Sequence, residues 1–263
     1  MVKDAQKKCV GFLIGNTKRP LMLSVPALAS TFYKLGIASS NCRPLGSPLN
    51  ERNVINYGWV LTLLLVGCQK SNEVMFLDAV AEVREERANS IDFRDRPLHD
   101  ESLIAELKGL SELRNLNLDR SQVSDAALNS IGPLPGLSKL SLSRTQLTND
   151  GLKAVAANYP NLIFLRLDET LVDDVGMESL ANLKKLEELS LYRVPVTSRG
   201  AATIAKMESL RTLSLDQSMV TDAGLEALGQ MSQVKVVSIW QCQVSDNAVE
   251  KFQRDHPLIK LNR

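Results

Sequence analysis

The stretch "LRTLSLDQSMVTDAGLEAL", residues 210–228, joins two apolar periods. Its first half alternates apolar and polar residues around Leu213 and Leu215, which is typical of a short strand with one buried face. Its second half places Leu225 and Leu228 three residues apart, on one side of a helix. Thr221 and the aspartate after it stand where the helix begins and are good N-cap residues. The stretch therefore predicts a strand followed by a helix.

The same unit recurs through residues 89–263. Further copies are "LSKLSLSRTQLTNDGLKAV" (137–155), "LIFLRLDETLVDDVGMESL" (162–180) and "LEELSLYRVPVTSRGAATI" (186–204). The central strand residue recurs every 24 or 25 positions, at Ile91, Leu116, Leu140, Leu165, Leu189, Leu213, Val237 and Leu261. One strand–helix unit cannot bury its apolar face alone, so the repetition predicts a stack. Glycine inside a helix costs roughly 1 kcal/mol, and its phased recurrence at Gly151, Gly176, Gly200 and Gly224 predicts close packing between neighbouring coils.

The motif L-x-x-L-x-L-x-x-[STV]-x-[LV] resembles the leucine-rich repeat family over about two-thirds of the chain. The segments "VTDAGLEAL" and "AANYPNL" are most similar to its cysteine-containing, ribonuclease-inhibitor-like subclass. The resemblance implies an α/β fold, a horseshoe-shaped solenoid with a parallel sheet on the concave face and helices on the convex face. The family's Asn/Cys position is occupied by Ser121, Thr145, Thr170, Val194, Ser218 and Cys242. Hydroxyls there are expected to bond to the adjacent turn, Val194 to leave its turn looser, and Cys242 to be a buried structural thiol, with a reactive thiol as the alternative.

Charge divides the chain into segments. Residues 1–68 carry eight Lys or Arg and two Asp or Glu, a net of +6, whereas residues 69–263 carry 23 and 28, a net of −5. This asymmetry predicts an N-terminal targeting region over 1–68. Residues 69–88 are interpreted as a tether and a capping helix, with Val74, Leu77 and Ala81 on its apolar side and Val80 on the flank, and residues 89–263 as the repeat domain. The acidic body argues against nucleic acid as a partner.

The apolar run in "YGWVLTLLLVGCQK", residues 57–70, is too short to span a bilayer as a helix and suits a secretory hydrophobic region. Its end, "LVGC", resembles the bacterial lipobox, which implies lipid on Cys68 and a lipoprotein anchored in the cell envelope. Because the run lies far from Met1, initiation at Leu49 or Val54 is one explanation. A processed presequence, with cleavage at Ala29, and an uncleaved anchor are others, and a cytoplasmic protein is the remaining alternative.

Few residues in this sequence are of the types that carry out catalysis. The two histidines, His99 and His256, belong to opposite ends of the repeats and are interpreted as solvated turn residues. No catalytic constellation, cofactor site or metal site is predicted, and acids such as Asp173 fall at helix starts, where the helix dipole favours them. The sequence therefore favours a binding surface.

Strand residues between the leucines are expected on the concave face, with equivalent residues of adjacent coils about 4.8 Å apart. The candidate partner-binding residues there are Phe164, Arg166, Asp168, Tyr192, Asp216 and Trp240. Tyr, Trp and Arg are the types that dominate interface energetics. Trp240 has a second interpretation, a cover for the last coil. Arg144, Glu169 and Arg193 alternate in sign on successive coils and are interpreted as an intramolecular charge ladder.

These observations favour a non-enzymatic, membrane-tethered leucine-rich repeat module that binds an unidentified protein. The alternative is an intracellular adaptor similar to the repeat half of F-box substrate receptors, and an enzyme is the third class. The cellular compartment separates the first two.

Overall fold

Short strands and helices alternate along the residues that the computed structural model describes, which are 71–96 and 101–263. The strands are β1 (Ser90–Asp92), β2 (Asn115–Asn117), β3 (Lys139–Ser141), β4 (Phe164–Arg166), β5 (Glu188–Ser190), β6 (Thr212–Ser214), β7 (Val236–Ser238) and β8 (Lys260–Asn262). All pair in parallel, in chain order, in one sheet. The repeat leucines stand side by side, as Leu189 and Leu213 do. The predicted register is confirmed.

The helices return the chain from one strand to the next. They are α1 (Asn72–Arg84), a 3₁₀ helix (Glu101–Leu107), α2 (Asp125–Ile131), α3 (Asn149–Asn158), α4 (Asp174–Leu180), α5 (Ser198–Ile204), α6 (Asp222–Leu228) and α7 (Asp246–Asp255). The helices begin at the predicted N-cap positions, and Ser124, Thr148 and Thr197 each accept a backbone hydrogen bond there. Thr221 is also an N-cap residue, but its side chain makes no capping hydrogen bond. The fold is the predicted α/β solenoid.

The core is a continuous column of leucine and valine between the sheet and the helices. The central strand residue Leu189 is 2% exposed, and the helix pair Leu225 and Leu228 is buried with it. Each coil thus contributes apolar residues from both its strand and its helix. A single coil is too thin to bury these residues, and the coils stacked on either side of it complete their burial.

Glycines inside the helices let polar side chains cross between coils. A Cβ added at Gly200 would lie 2.3 Å from Asp174 Oδ1. That carboxylate accepts hydrogen bonds from the backbone N–H of Thr197, at 2.8 Å, and from its hydroxyl, at 2.5 Å. Asp222, two coils after Asp174, accepts the same two hydrogen bonds from Ser245. The prediction of close coil packing at these glycines is confirmed, and a polar contact across the coils is the reason.

Helix α1 packs against the first coil with a face rotated from the predicted one, so that of the predicted residues only Val80, on the flank, is buried. Its buried residues are Phe76, Val80 and Val83, whereas Ala81 is exposed and Val74 and Leu77 are only half-buried. The Phe76 ring meets Phe93 edge to face, with 5.2 Å between centroids. Burying this large ring sets the rotation of the helix, because aromatic side chains bury more area than alanine.

At the family's Asn/Cys position, the hydroxyls of Ser121, Thr145 and Thr170 bond to the turn as predicted, whereas that of Ser218 contacts the Cys242 thiol at 3.4 Å. Thr145 and Thr170 each donate to the carbonyl three residues back, at 2.7 Å. The looser turn expected at Val194 is not found, because the Val194 N–H still bonds to Leu191 O at 3.2 Å. Cys242 is half-buried rather than buried, and its thiol donates to Leu215 O at 3.0 Å.

Several sequence predictions concern residues outside the described ranges, namely Ala29, the apolar run at 57–70, Cys68 and His99. His256 lies within them, and it is not a solvated turn residue. Its ring is half-buried, lies 4.9 Å from that of Phe252 and packs where a side chain at Gly229 would stand. Within 71–96 and 101–263, no helix is both long and apolar enough to cross a membrane.

Candidate functional site: the concave face of the sheet

One row of side chains follows the strands on the concave face, two residues after each strand ends. The row runs through Arg94, Asp119, Ser143, Asp168, Tyr192, Asp216 and Trp240. Hydrogen bonds between consecutive members place them side by side, as with the N–H of Tyr192 on Asp168 and that of Trp240 on Asp216. The predicted row therefore exists, and equivalent residues recur at roughly 5 Å.

The aspartates in this row link consecutive coils. Asp168 Oδ1 accepts from the Ser190 hydroxyl at 2.6 Å and from the Tyr192 N–H at 3.0 Å. Asp119 makes the same two contacts, with Ser141 at 2.6 Å and with the N–H of Ser143 at 2.8 Å. The N–H of Arg193 bonds to the backbone of the neighbouring coil, at Asp216 O, whereas the N–H of Tyr192 has the Asp168 carboxylate as its acceptor. These acids thus have a structural task that the sequence interpretation, which counted Asp168 and Asp216 as partner contacts, did not foresee.

The aromatic members of the row remain accessible. Trp240 is 46% exposed, and Tyr192 is half-buried, with the Arg193 guanidinium 5.4 Å from its ring centroid. Nearly half of Trp240 faces solvent, and its role as a partner contact stays a prediction. Both residues have their backbone N–H fixed by an aspartate of the preceding coil.

Phe164 and Arg166 belong to the strand beside Ser141 and Lys139. The guanidinium carbon of Arg166 lies 5.4 Å from the Phe164 ring centroid, within the range of a cation–π contact. The closest carboxylate contact of Arg166 is long, 3.7 Å from Nε to Asp168 Oδ2. This arginine is therefore oriented mainly by the ring beneath it.

A second row lies next to the first, at the sharp turn that follows each strand. Its residues have left-handed backbones without being glycine, with φ between 54° and 58° at Asp95, Arg120, Arg144, Glu169, Arg193, Gln217 and Gln241. Arg144 Nε donates to Glu169 at 2.8 Å, and Arg193 lies 3.9 Å from the same carboxylate. The predicted charge ladder is confirmed. It continues through Gln217, which accepts from Arg193 at 2.5 Å.

The two rows enclose a hollow of about 310 Å³ over the early strands. Ser143 lies in its wall as the smallest side chain of the first row, between Asp119 and Asp168. Tyr192 forms part of the same wall. The hollow joins the predicted residues Arg166, Asp168 and Tyr192, whereas the wall does not include Asp216 or Trp240.

No protein-family model and no curated protein matches this chain. Among solved structures, an internalin C2 from Listeria monocytogenes is similar, with a TM-score of 0.54 and 22% identity over 69% of this chain and 72% of its own. A plant peptide hormone receptor, RGFR1, in complex with RGF2 has a TM-score of 0.43 and 16% identity, over 69% of this chain and 29% of its own. The fold is that of the leucine-rich repeat proteins. The cysteine-containing subclass and the lipoprotein-type signal stay predictions.

Within this leucine-rich repeat solenoid, the acids with lowered pKa values are explained by their hydrogen bonds. The Arg94 guanidinium donates to Asp92 and holds the pKa of that carboxyl below its usual value. At the helix starts, the Val175 N–H does so for Asp173, and the Ser245 N–H and hydroxyl for Asp222. Across 71–96 and 101–263, no three His, Cys, Asp or Glu side chains converge as metal ligands would.

Proposed function

We propose that this chain is a non-enzymatic protein-binding module whose concave face holds the partner. The observation that carries the proposal is the pair of accessible aromatic residues, Tyr192 and Trp240, in one row with their backbones fixed by aspartates. Aromatic side chains are over-represented among the residues that dominate binding energy. Groups that are already ordered lose little entropy when a partner docks.

In the partner-binding row, two aromatic residues alternate with an aspartate that links consecutive coils. Tyr192 and Trp240 flank Asp216, so two aromatic residues stand roughly 10 Å apart with a coil-linking carboxylate between them. Arg166 lies two coils before Asp216 and adds a guanidinium held over Phe164. A partner that bridges Arg166 and Trp240 would contact four successive strands, from β4 to β7.

The non-enzymatic part of the proposal rests on what the acids of this face do. Asp119, Asp168 and Asp216 each accept a backbone N–H from the next coil. A general acid or base must reach the group with which it exchanges a proton, whereas each of these carboxylates already accepts a hydrogen bond from the next coil. Binding is the use of this surface that leaves them as they are.

We infer a membrane tether from the sequence alone, through "LVGC" and lipid on Cys68. Metabolic labelling with a fatty acid, followed by membrane fractionation, tests it. Wild-type protein should carry the label and sediment with membranes, and Cys68→Ser should lose both properties. An unlabelled wild-type protein in the soluble fraction would favour the alternative, an intracellular adaptor, without affecting the binding face.

Quantitative affinity capture from native extract tests the binding face itself. Tyr192→Ala and Trp240→Ala should each reduce the captured partner by about tenfold or more, the loss expected of a central aromatic anchor. Lys153→Ala, an exposed residue of helix α3, is the control and should capture as the parent does. Equal capture by all three variants would place the partner elsewhere on the molecule.

A further inference from the structure

The hollow beside Ser143 carries an inference that rests on the proposed function. The row has aspartate in the coil before and in the coil after, so the short serine leaves space between two longer side chains. The resulting hollow measures about 310 Å³. It opens on the concave face, next to Tyr192.

The charged groups in its wall cancel one another. Four arginines and four acids line it: Arg94, Arg120, Arg144 and Arg166 with Asp95, Asp119, Asp168 and Glu169. A wall without net charge has no long-range attraction for a small free anion or cation. A ligand must therefore be recognised by short-range contacts.

Three of the four arginines already have a close carboxylate partner. Arg94 lies 2.7 Å from Asp92, and Arg120 lies 2.7 Å from Asp95. Arg144 donates to Glu169 at 2.8 Å. Arg166 differs, because its Nε lies 3.7 Å from Asp168 and Asp168 Oδ1 is occupied by the next coil.

Two residues that line the hollow each have a buried side-chain atom without a hydrogen-bond partner among the described residues. These atoms are the hydroxyl oxygen of Ser143, a residue that is only 8% exposed, and Nε of Arg166. A buried polar group without a partner costs free energy, about 1–3 kcal/mol. The guanidinium of Arg166 can only donate, so the ligand that complements it is an acceptor.

The planar guanidinium of Arg166 matches a carboxylate, which it can bind with two parallel hydrogen bonds. Phe164 beneath the guanidinium restricts its motion, which lowers the cost of ordering it. We propose that an Asp or Glu side chain of the partner enters this hollow and binds the guanidinium of Arg166. Because the wall is neutral overall, the acid is bound as part of a chain that also contacts Tyr192.

The test uses the full-length protein and a phage-displayed library of random peptides. Selected peptides should share an Asp or Glu, and exchanging it for Asn or Gln should weaken binding by about tenfold or more, the loss of a charge-assisted hydrogen bond. Arg166→Gln should weaken the binding of the acidic peptide by the same factor. The Arg166→Gln protein should bind the acidic peptide and its amide counterpart equally well. Arg211→Gln is the matched control, because Arg211 is exposed like Arg166, at 45% and 42% of the side chain, and pairs with Glu187 away from the hollow.

The outcomes separate this inference from the proposed function. Amide peptides that bind as well as acidic ones, or Arg166→Gln protein that still prefers the acid, overturn the acidic-side-chain inference. Such peptides would still support the concave face if Tyr192→Ala releases them. Binding that survives both Arg166→Gln and Tyr192→Ala overturns the inference and the proposed function together. Competition by free phosphate at the level of the peptide would identify a general anion site and also overturn the inference.

Discussion

Asp216 accepts a hydrogen bond from the backbone N–H of Trp240, 2.7 Å away and one coil further along the chain. The same contact joins Asp168 to Tyr192. An acid in this row therefore fixes the spacing of two coils and positions the aromatic residue of the next. The binding face and the stability of the solenoid depend on the same side chains.

Asp216→Ala is expected to destabilise the domain as well as to weaken partner capture. The sequence interpretation treated Asp216 as a partner contact only, but its loss leaves the Trp240 N–H without its acceptor. A lost hydrogen bond to a charged group costs about 1.5–3 kcal/mol. Denaturant unfolding measures the change, and Glu208→Ala, an exposed site, should leave the midpoint unchanged. Equal midpoints for the two variants would contradict the linking role.

Leu189→Ala should be among the most destabilising single changes. Leu189 is 2% exposed in a central strand, and truncation of a buried leucine costs about 2–5 kcal/mol. Lys185 pairs with Asn161 at the surface, so Lys185→Ala should stay within roughly 0.5 kcal/mol. The two free energies of unfolding, measured in the same denaturant, check the register of the repeat. Similar values would show that the strand leucines are misplaced.

Tyr159→Phe is expected to leave the domain equally stable or to stabilise it. The ring is 1% exposed, and the hydroxyl has no hydrogen-bond partner among the described residues. Burial raises the pKa of this phenol well above its ordinary value. Removing a buried polar group that lacks a partner can raise the free energy of unfolding by about 1 kcal/mol. Thermal unfolding is the measurement, and a fall in midpoint of several degrees would indicate a bonded hydroxyl.

The Asp222–Ser245 link should depend on pH. The N–H and the hydroxyl of Ser245 hold the pKa of Asp222 below 3.8, its ordinary value. A lowered pKa stabilises the folded state above the unfolded-state value, and this stabilisation is lost as pH falls through the folded-state value. Asp222→Asn should therefore be less stable than the parent at neutral pH, and the difference should shrink below pH 3.8. Unfolding midpoints across this range check it, and a difference that is constant with pH would contradict it.

The periodic residues explain why the fold could be predicted from the sequence. Leucines at intervals of 24 or 25 residues fix the strand register, since each must face the same core. The left-handed residues could not be predicted in this way, because Arg120, Glu169 and Gln217 share only a backbone conformation. The sequence predicts the position of helix α1 correctly, but not which of its faces is buried. Its apolar residues fit more than one face, and the Phe76–Phe93 contact selects one.

The candidate site, like the fold, could be predicted only in part from the sequence. The repeat spacing predicts that Tyr192 and Trp240 lie on the concave face, because strand alternation determines which side of the sheet a residue faces. It could not show that Asp168 and Asp216 are acceptors, since that role depends on a backbone N–H of the next coil. The signal was an aspartate in the row followed, one coil later, by a serine at the end of the strand. Asp119 with Ser141 and Asp168 with Ser190 both follow it.

Photo-crosslinking tests most directly whether the concave face holds the partner. A benzophenone amino acid replaces Tyr192 in one protein and Lys153, on helix α3, in a control. We expect a covalent adduct with the captured partner from position 192 and none from position 153. An adduct from position 153 alone would place the partner on the convex face and contradict the account.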